Sequence, residues 1–130
     1  MNAQIRKRFK AGSNNDTNPD QNICTLAVAR WAGVQNNVRY LHTYDDLKRA
    51  LRSRFSVRSV KSALGKAKTV GAARKEIANL FSERDDLVGV YISVPGHAML
   101  IGPDGKTIID TAPRTRDRRR ILHATGIYWK

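Results

Sequence analysis

A chain of 130 residues has room for one domain with a modest core, and no second domain is expected. Its 41% hydrophobic content is ordinary, but 24 Lys and Arg against 11 Asp and Glu give a formal net charge of +13. That excess predicts nucleic acid or another polyanion, such as an anionic cell-surface polymer, or an acidic protein as partner, with solubility alone as the plainer reading. A single cysteine excludes an internal disulfide, and no apolar run is long enough to cross a bilayer.

Residues Met1 to Lys10 are basic but are followed by no apolar region, which argues against a Sec-type signal. The expected location is therefore cytoplasmic where the chain is made, with non-Sec export or delivery in a larger assembly as further routes. Residues Lys10 to Asn22 are rich in Gly, Ser, Asn, Asp and Pro, which is loop chemistry. The chain thus divides into a basic, loop-rich segment over 1–21 and a single domain over 22–130.

The first helix is predicted from Asn22, a good N-cap, to Gly33, a C-terminal cap. Cys24 falls in its first turn and shares a face with Ala27, Val28 and Trp31. Thr43 and Asp46 have capping-box spacing, and Leu47, Leu51 and Phe55 mark the apolar stripe of a second helix. The segment from Ser56 to Leu64 fits a helix through Val57, Val60 and Leu64, although its Ser and Val content also suits a strand; helix is the expectation. Thr69 to Phe81 reads as a helix anchored by Ile77, Leu80 and Phe81.

The hydrophobic period then changes. Leu87 to Val94 reads as a strand, Pro95-Gly96 as a turn, and the segments beginning at His97 and ending at Asp110 as a hairpin joined by Gly102-Pro103-Asp104-Gly105. An arginine run from Arg114 to Arg120 precedes a last strand over Ile121 to Trp129. The three strands over 87–110 read as a meander, and the expectation is an α+β domain, N-terminal helices packed on a C-terminal antiparallel sheet.

Pairing the hairpin symmetrically about Pro103-Asp104 sets Ile101 against Lys106 and His97 directly against Asp110. A thiol at a helix start lies where the macrodipole and unpaired N–H groups favour thiolate. Such a nucleophile needs a base within hydrogen-bond reach and a third group to orient the imidazole. Cys24, His97 and Asp110 supply these in order. Backbone N–H groups at the helix start, with a side-chain amide just upstream, suit an oxyanion.

These residues resemble the papain-like cysteine peptidase superfamily, in which a cysteine opens the first core helix, a histidine starts one strand and Asp or Asn follows on the next. Gly96-His97-Ala98 and Lys106 to Pro113 are similar to the corresponding strands of bacteriocin-leader peptidases and papain-fold toxins. Cys24-Thr25 followed by Val28-Ala29-Arg30 resembles CHAP amidases, which cut peptidoglycan peptides. The resemblance implies a papain-like fold and a Cys24-His97-Asp110 triad. Where that family places an oxyanion glutamine six residues before the cysteine, this chain has Asn18; Gln21 and Asn22 are the other candidates.

The expected function is a thiol hydrolase acting on a peptide, isopeptide or glutamine amide bond. A cysteine peptidase comes first, and a deamidase or transamidase shares the same thioester chemistry. A toxin or effector with an acidic immunity protein, or a phage enzyme, would suit such a chain. The alternative is a basic nucleic-acid-binding or virion-associated protein on an inactive papain-like scaffold. A lone cysteine is more often a core filler than a nucleophile. His42 and His123 compete for the base role, the first before a helix cap and the second without an acidic strand neighbour. No zinc spacing or phosphate-binding glycine loop is present, so no metal or cofactor is expected.

Overall fold

A computed structural model describes residues 23–34, 43–110 and 117–130, with Ile23, Cys24 and Leu26 described by backbone alone. The segment over 1–21, its boundary at residue 22, and His42 lie outside the described residues. The elements in chain order are α1 (Ile23–Ala32), α2 (Tyr44–Leu51), β1 (Phe55–Ser59), a 3-10 turn (Lys61–Leu64), α3 (Val70–Glu83), β2 (Leu87–Val94), β3 (His97–Ile101), β4 (Thr107–Ile109) and β5 (His123–Trp129). The five strands form one antiparallel sheet in the order β1-β5-β2-β3-β4. The expected α+β class, with N-terminal helices packed on an antiparallel sheet, is what the chain adopts.

Local signals set most of these elements. In α1, Gly33 takes a φ of 74° after the last turn, and Val34 N–H donates to Ala29 O at 3.0 Å, so a residue without Cβ closes the helix. The capping box of α2 forms in full: Thr43 Oγ1 accepts from Asp46 N–H at 3.1 Å, and Asp46 Oδ2 accepts from Thr43 N–H at 3.2 Å. In α3, Thr69 Oγ1 accepts from Ala72 N–H and Ile77 is buried.

Two expectations are corrected. Phe55 does not continue the stripe of α2, and Ser56 to Ser59 is not helical; these residues form β1. The partner decides this, because Phe55 pairs with Trp129 and Val57 with Ile127, residues invisible to any local window. The expected meander forms over β2-β3-β4. Strand β5 crosses back to pair with β2 and carries β1 on its outer edge.

The second correction is the hairpin register. Gly105 N–H donates to Gly102 O at 3.0 Å, as a turn with Pro103 at its second position requires, but Gly102 N–H also bonds Lys106 O at 2.8 Å. The loop is thereby three residues, Pro103-Asp104-Gly105, with Gly105 at φ 78°. Ile101 faces Thr107 instead of Lys106, and a bulge at Ile108 then sets Leu100 against Ile109. Each irregularity shifts the register by one residue, so His97 and Asp110 are not direct cross-strand partners.

The sheet is covered on both faces. One core unites Ala27, Val28 and Trp31 of α1 and Leu47 and Leu51 of α2 with Tyr91, Ala98, Leu100, Ile109 and Ile127. The other unites Val70, Ala73 and Ile77 of α3 with Val90, Ile92, Val94, Met99, Ile101 and Tyr128. Fully burying a side chain of this size contributes about 1.5–3 kcal/mol, so both layers are held chiefly by apolar burial.

Candidate active site

Helix α1 crosses the hairpin that carries the histidine and the aspartate, packing on β3 and β4. Ala27, Val28 and Trp31, the line expected from spacing, are fully buried, but so are Thr25, Ala29 and Ala32, which leaves Arg30 as the exposed one among the described side chains of the helix; Trp31 Cη2 lies close against Gly89 of β2. Cys24 is the second residue of α1. The backbone amides of the first helical turn have no carbonyl one turn earlier in the helix to bind, which makes this end favourable for a negative charge.

His97 opens β3, and Asp110 follows the last residue of β4. Their side chains meet: His97 Nε2 and Asp110 Oδ1 are 2.6 Å apart, and each side chain is only 13% exposed. With the carboxylate ionised it can only accept, so Nε2 is then the donor in this contact, and in a neutral imidazole Nδ1 is the acceptor. That is the tautomer a general base requires.

Alternation decides where this pair faces. Val94 pairs with His97, and Val94 and Met99 belong to the core under α3, whereas Ala98, Leu100 and Ile109 belong to the core under α1. His97 and Asp110 therefore start from the α3 side of the sheet, at the end of their strands. Helix α1, which carries Cys24, packs on the opposite face of the same two strands.

The oxyanion candidates Asn18, Gln21 and Asn22 lie outside the described residues, as do Arg114, Arg116 and the segment Thr111 to Pro113. His123 is exposed, stacks on Tyr44 with ring centroids 5.9 Å apart and has no acidic partner among the described residues. Among those residues no three metal-ligating side chains gather, and no helix is long and apolar enough to cross a membrane.

Two features escaped sequence reasoning. Arg74 donates through Nε and Nη2 to Asp117 Oδ1 at 3.0 and 2.9 Å, and through Nη1 to Gly105 O at 3.0 Å, tying α3 to both the hairpin loop and the arginine segment. An open cleft of about 500 Å³ lies between α2, the residues around Lys61 and the start of β5, lined by Tyr44, Asp45, Lys48, Ser59, Lys61 and His123 among others. No short-range pattern marks either, because each joins segments more than thirty residues apart.

No protein-family model matches this chain, and neither a curated protein nor a solved structure gives a significant match.

Proposed function

We propose that this protein is a papain-like thiol hydrolase, a cysteine peptidase in the first instance, in which Cys24 attacks a peptide, isopeptide or glutamine amide carbonyl. His97 takes the thiol proton through Nδ1 and returns it to the leaving amine; Asp110 fixes the imidazole and balances its charge. Water then releases the acyl group from the thioester. The observation that carries this reading is the 2.6 Å contact between His97 Nε2 and Asp110 Oδ1, because it leaves Nδ1 free to act as a base. Cys24 stands in the first turn of a helix that packs on the opposite face of the same two strands, so the reading requires thiol and imidazole to meet at the strand ends. Amides at that turn would receive the oxyanion, together with Asn18, Gln21 or Asn22.

The test is alkylation of native protein by iodoacetamide across pH, in wild type and in His97→Ala. The expected result is an apparent thiol pKa well below the ~8.5 of free cysteine, raised by the substitution. A thiol that is inert, or that titrates near the free value regardless of His97, overturns the reading.

A further inference from the structure

Two basic stretches far apart in sequence are zipped into one surface. Ile121 N–H donates to Lys68 O at 2.8 Å, Val70 N–H to Arg119 O at 3.0 Å and Gly71 N–H to Asp117 O at 2.9 Å, with a β-bridge between Thr69 and Arg120. Lys61 Nζ donates to Leu122 O at 3.0 Å. These bonds set Lys61, Lys66 and Lys68 beside Arg118, Arg119 and Arg120, all six exposed. None of the six pairs with a carboxylate among the described residues. The acid within this zipped segment, Asp117, is taken up by Arg74.

The strip has two distinct ends. One reaches the His97 turn, where Arg119 Nη2 donates to Pro95 O. The other runs through Leu122, a large apolar side chain left 44% exposed, to His123 and the cleft. There His123 stacks on Tyr44, Tyr44 stacks on Tyr91 at 5.4 Å, and Lys48 Nζ sits 4.8 Å from the Tyr44 ring. Ser59 and Asp45 line the same cleft, Asp45 pairing with Lys48 at 3.6 Å, and the Thr125 hydroxyl there is bonded to that of Tyr44.

We infer that this strip and cleft form a binding surface for single-stranded nucleic acid. Six cations on one strip, none paired with a carboxylate among the described residues, match a chain of phosphates, each neutralised with release of a counterion. An acidic polypeptide would use those cations equally well. It would make no use of an exposed imidazole backed by a tyrosine stack, whereas a base has a flat face to lay on it. The phosphates follow Lys61, Lys66, Lys68, Arg118 and Arg120, and one base enters the cleft against His123. The surface stands independently of Cys24 chemistry.

Fluorescence anisotropy of a labelled twelve-nucleotide thymidine oligomer, titrated with the full chain at about 50 to 200 mM salt, tests this. Affinity should fall steeply with salt. Lys66→Ala with Lys68→Ala should reduce the slope of log affinity against log salt by about 1.4, at about 0.7 per phosphate on a single strand. His123→Ala should weaken binding about fivefold or more while leaving that slope unchanged. Arg52→Ala with Arg54→Ala, equal in charge removed but beyond the other end of α2, is the control and should keep both affinity and slope. Equal losses in the two double variants would reduce the effect to net charge and overturn the inference. Competition by polyglutamate as effective as by unlabelled oligomer, with no effect of His123→Ala, would also overturn it and assign the strip to an acidic protein. Thermal melting of each variant separates lost binding from lost fold.

Discussion

His97 and Asp110 are hydrogen-bonded at 2.6 Å although the strands that hold them place neither directly opposite the other. The three-residue loop and the bulge at Ile108 each displace the register by one, and two displacements return the aspartate to the histidine's side of the sheet. Diagonal neighbours on one face remain within reach of side chains of this length. The contact therefore depends on an even number of irregularities, and a single bulge would have sent Asp110 to the opposite face.

Removing the carboxylate should release the imidazole. In Asp110→Ala, nitrogen NMR should show His97 shifting from the tautomer protonated at Nε2 to a mixture, and the hydrogen bond lost should cost about 1.5–3 kcal/mol in a denaturant titration. An unchanged tautomer in the variant would show that another group holds the ring.

Gly105→Ala should be among the most damaging single substitutions in the hairpin. A Cβ there would stand 2.5 Å from Arg74 O, a backbone atom, and the residue has a φ of 78°. The left-handed conformation alone costs about 1 kcal/mol for a residue with Cβ. Displacing α3 adds to it and breaks the bond from Arg74 to Gly105 O, so a loss of about 2–4 kcal/mol is expected. Hydrogen exchange should quicken at Val70 and Gly71, whose amides depend on the segment that Arg74 anchors.

Ser93→Ala should stabilise the protein. Ser93 Oγ is buried without a hydrogen-bond partner among the described residues, although its strand neighbours Ala98 and His123 pair normally through their backbones. Deleting an unsatisfied hydroxyl removes a desolvation cost of about 1–3 kcal/mol, and thermal unfolding should shift upward accordingly. A lower melting temperature would mean the hydroxyl is satisfied in solution.

Asp86 should titrate below the ordinary aspartate range, because Arg84 donates to it through Nε and Nη2 at 3.0 and 2.8 Å. A carboxyl depressed in the folded state contributes stability above its unfolded pKa, and that contribution is lost as pH falls through the folded value. Both groups are solvent-facing, so the effect should shrink with added salt. Carboxyl NMR titration of wild type against Arg84→Ala measures it: the Asp86 midpoint should rise in the variant and differ less between the two at high salt.

The legible parts of this chain are those whose causes are local. The cap at Thr43, the helix beginning about Thr69, the stop at Gly33 and the burial of Ala27, Val28 and Trp31 follow from backbone chemistry within one or two helical turns. The proximity of His97 and Asp110 was legible too, since a short loop leaves two strand ends no other place to go. Their register was not, because Gly105 and Ile108 add irregularities that no alternation pattern announces. Residues 55–59 were illegible for the same kind of reason, their strand being chosen by β5 seventy residues later.

The amino-acid sequence by itself determined the α+β class, the position of Cys24 at a helix start, and the pairing of a histidine with an aspartate in one hairpin. Only the tertiary structure decided which face of the sheet that pair occupies and that Lys61, Lys66 and Lys68 lie beside Arg118 to Arg120. The division has one physical cause. Caps, turns and periodicity are settled by bonds between near neighbours, whereas faces, registers and shared surfaces are settled by which distant segments bury their apolar sides together.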